Sequence, residues 1–278
     1  MDLEKLVSHP ELPSIPESVL KLNELIKQEA PIDKLAAIIR NEPALTTRTL
    51  ELANSAWYNR QREIATVQDA IAIIGITALQ QLIFASSVIR TFAGIKNELV
   101  DMDKYWRQSV RTATAAQTLA HQSNTGNPLD LFTAGLLVYI GKLILYIAAP
   151  DISMQILQTA QAQQQPHFKM ENKLLGYNHS NVTAALLKRW NLPESIHAAI
   201  CFYTEPEQST EMHRNGACTL NIAHHMQYVH NLNIDATDPP GQISAFALHR
   251  LQVNEMDLSD YSTMAESRYN EAVTMLGL

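Results

Sequence analysis

Apolar residues recur every three or four positions along most of the chain, which is the spacing that places them on one face of an α-helix. The first such face is formed by Ile15, Val19, Leu22 and Ile26. Prolines separate successive faces, and a proline is well tolerated in the first turn of a helix. The chain has no convincing β-hairpin and no ladder of alternating apolar and polar residues. The pattern predicts an all-α protein of about a dozen helices.

Capping signals predict several helix ends in the first third of the chain. Thr66 and Asp69 resemble a capping box ahead of an apolar run. Gly75 follows that run and can end the helix, since glycine accepts a positive φ without strain. Thr77 is then expected to cap the next helix.

The most apolar stretch predicts one core helix over residues 129–148. Asn127 is expected to cap it, with Pro128 in its first turn. Lys142 interrupts the apolar run and Pro150 ends it, so the stretch falls short of the roughly 18 uninterrupted apolar residues of a membrane span. We therefore expect no membrane association.

The polar segment 93–103 is the best candidate for a boundary. It separates a predicted N-terminal helical subdomain, residues 1–95, from a second helical subdomain, residues 96–206. Residues 207–278 are predicted to form a C-terminal helical extension packed on the second subdomain, because about 70 residues make a thin core alone.

Composition places the chain among globular proteins, since 46% of its 278 residues are apolar and 18% are charged. The net charge is −7, and residues 205–278 hold 3 basic and 10 acidic side chains. This acidity argues against nucleic-acid binding, which depends on phosphate neutralisation. Two cysteines and an N-terminus without a secretory pattern predict reduced thiols and a cytoplasmic location.

Common catalytic and cofactor motifs are absent. The sequence contains no glycine-rich phosphate loop, no GxSxG and no CxxC. None of its ten histidines are spaced by four positions, so no two of them form a metal-binding pair on one helix face. His224 and His225 are adjacent and favour a structural or surface role. No cofactor is therefore predicted.

Several strings together resemble one family. They include NEPALTTRTLELANSAWYN and IATVQDAIAIIGITALQQL, followed by YWRQSVRTATAAQTLA, FTAGLLVYIGKLIL and GYNHSNV. These strings and their order resemble the HDOD domain, the HD-related output domain of bacterial signalling proteins, over about residues 12 to 206. The resemblance implies a multi-helical bundle related to HD-superfamily phosphohydrolases, with an added N-terminal helical subdomain.

The resemblance also implies that the metal ligands of catalytic relatives are replaced. Five other side chains stand at their positions: Gln108, Val138, Tyr139, Tyr203 and Thr204. Val138 has no lone pair, and a phenol is a poor ligand at neutral pH. Only His179 keeps a ligand-like position, and one imidazole does not hold a catalytic metal. We therefore expect no metal-dependent hydrolysis.

A candidate vestigial pocket follows from the same resemblance and comprises Gln108, Tyr139, Lys142, His179 and Tyr203. Lys142 either attracts an anion into a metal-free pocket or extends from a core helix into solvent. His179 either contacts a ligand or is a satisfied core histidine. Tyr139 either contacts a ligand or fills the former metal cavity, because protein interiors are packed without large voids.

A candidate interface is carried by Trp57, Tyr58, Arg60 and Arg62. Aromatic and arginine side chains are typical anchors of protein interfaces. The alternative is that the two aromatic residues dock the N-terminal subdomain onto the HD-like one.

Three functions remain open. The first is a non-catalytic regulatory module that contacts unidentified signalling proteins. The second is a sensor of a nucleotide or another small anionic ligand bound in the vestigial pocket. The third is a hydrolase with an unrecognised site, which should contain stoichiometric metal.

Overall fold

The computed structural model describes residues 2–58, 63–229, 238 and 241–278, and within them it contains helices and no strand. The all-α prediction is confirmed. In chain order the helices are α1 Leu3–Leu6, α2 Glu17–Lys27, α3 Ile32–Asn41, α4 Pro43–Ala53, α5 Val67–Ile74, α6 Ile76–Ala93, α7 Met102–Ser123, α8 Pro128–Leu137, α9 Ile140–Ala148, α10 Pro150–Gln163, α11 His167–Leu175, α12 His179–Arg189, α13 Glu194–Phe202, α14 Arg214–Val229, α15 Ala245–Leu251 and α16 Glu255–Leu276.

The chain divides into two compact units. The small unit comprises Pro13–Gly94 and Arg268–Leu278, and the large unit comprises Met1–Leu12 and Ile95–Ser267. This division differs from the predicted segments 1–95, 96–206 and 207–278 at both chain ends. The first twelve residues group with the large unit, and the last turns of α16 group with the small unit.

In the small unit, α4 packs against α3, α5 and α6, and α2 packs against α3 and α6. Half of the predicted capping box is present, since the Thr66 hydroxyl accepts the Asp69 N–H at 3.1 Å. The Asp69 carboxylate accepts from the Thr66 hydroxyl at 2.7 Å rather than from the Thr66 backbone N–H. The predicted cap at Thr77 is wrong. α6 begins at Ile76, directly after Gly75, whose φ of 82° turns the chain between α5 and α6.

In the large unit, α7 packs against α8 and α14, while α12 packs against α9 and α13. α13 also packs against α14, so α14 lies between α7 and α13. These contacts bring residues that are far apart in the sequence to one region, where α7, α9, α12 and α14 supply several of the side chains described below.

The single helix predicted for residues 129–148 is wrong, because the structure contains two helices, α8 and α9. The cause is Thr183 of α12. Its hydroxyl donates to the carbonyl of Val138 at 3.1 Å and accepts the N–H of Gly141 at 2.8 Å. A side chain inserted in this way interrupts the helical hydrogen-bond ladder.

Gly141 permits this contact between α9 and α12. A Cβ atom at this position would lie 2.0 Å from the carbonyl oxygen of His179. Only a residue without a Cβ therefore allows the two backbones to approach so closely.

Among the residues that the structure describes, two segments are long and apolar enough to cross a membrane by length and composition. They are Ile76–Ala93 and Pro128–Ala148, with mean hydropathies of 1.2 and 2.0. The second is 89% buried inside the protein, as a core segment should be.

Candidate functional site

The large unit contains an open cavity of about 490 Å³. Its wall includes His179, Tyr203, Thr204, Asn221, His224 and Asp238. Two residues of the predicted vestigial pocket, His179 and Tyr203, therefore line it. Tyr139 and Lys142 are hydrogen bonded to two wall residues, His224 and Asp238.

Tyr139 is fully buried at the junction of α8 and α9. Its hydroxyl lies 3.0 Å from the hydroxyl of Thr112 and 2.6 Å from Nδ1 of His224. The amide of Gln227 donates to the same hydroxyl at 3.3 Å. Burial raises the pKa of Tyr139 to about 12, so the group is a neutral phenol at pH 7.

His224 is the neutral partner of this phenol. Burial, and secondarily the neighbouring His225, hold the pKa of His224 well below its ordinary value. The His224 ring also packs edge-on against the rings of Tyr139 and Tyr203, with centroid separations of 5.8 and 5.7 Å. The phenols and imidazoles thus form one packed cluster.

His179 is the first residue of α12, and Asn178 caps that helix through a capping box. Its Nδ1 lies 2.6 Å from a carboxylate oxygen of Glu171, and its Nε2 lies 2.6 Å from the hydroxyl of Tyr203. Both ring nitrogens are therefore engaged. Burial by itself would raise the pKa of Glu171, but the charge and hydrogen bonds of His179 outweigh it and lower that pKa.

Lys142 does not extend into solvent. Its ammonium group forms an ion pair with Asp238, and the two side chains are 6% and 8% exposed. Asp238 also accepts the backbone N–H of His167 at 2.9 Å. Burial by itself would raise the pKa of Asp238. The charges and hydrogen bonds of Lys142 and His167 outweigh burial and hold this pKa well below its usual range, so the carboxyl group is ionised at neutral pH.

Gln108 is buried on α7 and is not part of the cavity wall. Its backbone carbonyl accepts from the hydroxyl of Thr112, which in turn contacts Tyr139. The backbone of Gln108 is therefore linked to Tyr139 through Thr112.

A model of the HDOD domain matches residues 12–206 of this sequence. The chain belongs to the HDOD domain family. A relative from Treponema pallidum (strain Nichols), an uncharacterized protein, is 24% identical over 215 residues. That match covers 77% of this chain and 41% of the relative, so this HDOD protein spans about two fifths of the relative's length.

Solved structures share the fold. A candidate phosphohydrolase from Shewanella amazonensis SB2B is 25% identical with a TM-score of 0.74, and the match covers 99% of this chain and 97% of that one. An HDOD protein of unknown function from Geobacter sulfurreducens is 23% identical with a TM-score of 0.71, at the same coverage. A candidate signal transduction protein from Marinobacter aquaeolei VT8 is 20% identical with a TM-score of 0.74, over 100% of this chain and 61% of that one.

The HD relationship implies a divalent metal, but the donors of this HDOD domain do not fit one. The fully buried Val138 side chain offers no lone pair, and the Tyr139 phenol is held by Thr112 and His224. Both nitrogens of His179 are engaged. Within the described part of the chain, no group of three or more His, Cys, Asp or Glu side chains is arranged to hold an ion.

The predicted interface is only partly described. Trp57 and Tyr58 are half-buried and belong to a short 3-10 turn after α4. Within the small unit, the guanidinium of Arg268 lies 4.1 Å from the centre of the Trp57 ring. Arg60 and Arg62 lie outside the described residues.

Sequence reasoning missed three participants in the site. His224 is buried and lines the cavity, a position that the adjacent pair His224 and His225 does not indicate by itself. Glu171 carries no motif of its own, and only its position eight residues before His179 could have suggested the pair. Asp238 lies 96 positions after Lys142, and no local signal in the sequence connects the two residues.

Proposed function

We propose that this HDOD domain is a non-catalytic signal-transduction module that regulates other proteins by direct contact. The observation that carries the proposal is the mutual engagement of the side chains near the former metal position. Tyr139 is tied to Thr112 and His224, and His179 is tied to Glu171 and Tyr203. Family membership supports the signalling role.

Metal-dependent phosphoester cleavage needs donors that hold a divalent ion and lower the pKa of a bound water. A neutral phenol and an imidazole with both nitrogens engaged supply no such donors. Purified protein supplied with Mn²⁺ should therefore leave bis(4-nitrophenyl) phosphate intact. Hydrolysis by the unmodified protein that disappears in His179→Ala would contradict this part of the proposal.

The contact surface that we assign is centred on Trp57. Large aromatic side chains and arginines contribute strongly to protein interfaces. In the small unit, Arg268 packs on the Trp57 ring and holds it in one orientation through a cation–π contact. An anchor held in this way loses less conformational entropy when it binds a partner.

The test is cross-linking and affinity capture from the native cell with three forms of the chain. Trp57→Ala removes the anchor, whereas Arg268→Gln removes only the guanidinium that packs on it. We expect Trp57→Ala to lose the partners that the unmodified chain captures and Arg268→Gln to weaken them less. If Trp57→Ala keeps all the partners, this surface is refuted. If the unmodified chain captures no partner specifically, the proposed function is refuted.

A second candidate function is the sensing of a small ligand, and the open cavity favours it. Its volume of about 490 Å³ is typical of small-molecule sites, and its wall combines aromatic, imidazole and amide groups. A ligand that binds only the folded state raises the melting temperature. Thermal-shift measurements with nucleotides and the matching nucleosides test this function, and no shift with any of them would count against it.

A further inference from the structure

Asp238 is held as a bound anion would be. Its carboxylate accepts hydrogen bonds from Nζ of Lys142 and from the backbone N–H of His167 at 2.9 Å, and Nδ1 of His167 lies 3.5 Å from it. The donors come from α9 and from the start of α11, and they are 96 and 71 positions away from Asp238 in the sequence. Two separate helices thus build an oxyanion site, and the Asp238 carboxylate occupies it.

The carboxylate stands between this oxyanion site and the cavity. Asp238 lines the cavity wall, whereas Lys142 and His167 do not. Lys142 is buried, and a buried ammonium group needs an opposite charge beside it. An anion that enters from the cavity can meet that need if it takes the place of the Asp238 carboxylate.

We propose that Lys142 and His167 form a binding site for the phosphoryl group of a small molecule, and that the Asp238 carboxylate is its internal competitor. The ligand binds by exchange, with its phosphoryl oxygens accepting the bonds that Asp238 now accepts. A phosphoryl dianion carries more charge than a carboxylate, so its Coulomb attraction to the Lys142 ammonium group is stronger. This inference rests on the second candidate function, ligand binding in the cavity.

The rest of the ligand would lie in the cavity itself. The wall includes the aromatic residues Phe168 and Tyr203 together with Asn221, whose amide bonds the Tyr203 carbonyl and the Ser244 N–H. These groups suit a flat heterocycle that carries hydrogen-bonding atoms. The ligand class is therefore a small phosphate monoester with a planar polar body, such as a nucleoside monophosphate.

The test compares anion binding by the full chain and by Asp238→Ala, using isothermal titration calorimetry with inorganic phosphate at constant ionic strength. Removal of the competitor should tighten phosphate binding at least about tenfold, because the carboxylate then no longer occupies the nitrogen atoms of Lys142 and His167. Asp151→Ala is the matched control, since it removes an exposed carboxylate and changes the net charge equally. The double variant Asp238→Ala/Lys142→Met should lose the gain.

Further arms identify the ligand. Acetate should bind Asp238→Ala more weakly than phosphate, and a nucleoside monophosphate should bind more tightly than either phosphate or the nucleoside alone. Equal phosphate binding by Asp238→Ala and the unmodified chain would overturn the exchange. If the unmodified chain nevertheless binds nucleosides, ligand sensing survives while the exchange fails, so the two failures are distinguishable.

Folding of the variant is itself informative. If Asp238→Ala is unfolded in buffer without anions, phosphate should restore its helical circular dichroism, because the added anion replaces the missing carboxylate. Failure of phosphate to restore the fold would overturn the proposal. The isosteric variant Asp238→Asn provides a second test, since it keeps the shape and removes the charge.

Discussion

Replacement of Tyr139 by phenylalanine tests whether the centre of the site is stabilised by its own hydrogen bonds. The ring remains and the apolar packing is unchanged, so only the hydroxyl is lost. That hydroxyl contacts Thr112 at 3.0 Å, His224 at 2.6 Å and Gln227 at 3.3 Å, all in the buried interior. A buried polar group left without its partner costs about 1–3 kcal/mol. We therefore expect the free energy of unfolding to fall by about 2 kcal/mol.

The assay is urea unfolding followed by far-ultraviolet circular dichroism. The midpoint should move to lower urea while the slope stays constant, which indicates an effect on stability rather than on compactness. Tyr261→Phe is the control, because Tyr261 lies partly exposed on α16 and its loss should change stability by less than about 0.5 kcal/mol. If Tyr139→Phe is as stable as the unmodified chain, the hydroxyl does not tie the site together and the reasoning is refuted.

Three further predictions follow from individual contacts. Gly141→Ala should cost about 3 kcal/mol or more in chemical denaturation, since its Cβ would lie 2.0 Å from the His179 carbonyl oxygen; a loss below about 1 kcal/mol would contradict this contact. Burial alone would raise the pKa of Asp238, but its lysine partner lowers this pKa below the unfolded value. The stabilising contribution of Asp238 is therefore complete above about pH 4 and is lost as the pH falls further. Asp238→Asn should lose unfolding free energy less steeply in acid than the unmodified chain, and equal slopes would contradict the ion pair. Burial raises the pKa of Cys218 to about 11, so iodoacetamide at a pH of about 8 should modify the more accessible Cys201 first, as mass spectrometry can show; preferential modification of Cys218 would contradict its burial.

Local chemistry made much of the fold predictable. The helix caps at Thr66 and Asn127 depend only on residues two or three positions away, and both are present in the structure. The family resemblance also identified Tyr139 and His179 as positions of interest. Both proved to be buried and hydrogen bonded near one cavity.

Contacts across long sequence separations could not be predicted in this way. The break between α8 and α9 depends on Thr183, which lies 45 positions after Val138. Apolar periodicity alone therefore indicated one continuous helix. The partner of Lys142 lies 96 positions away in a polar stretch, so its side chain was expected to reach either solvent or a bound anion.

Elemental analysis of the protein, purified without chelators, tests most directly the claim that this HDOD domain works without catalysis at a metal. The engaged donors around Tyr139 and His179 predict no manganese, iron or zinc beyond trace amounts. One or two equivalents of such a metal per chain, lost in the His179→Ala variant, would contradict the account.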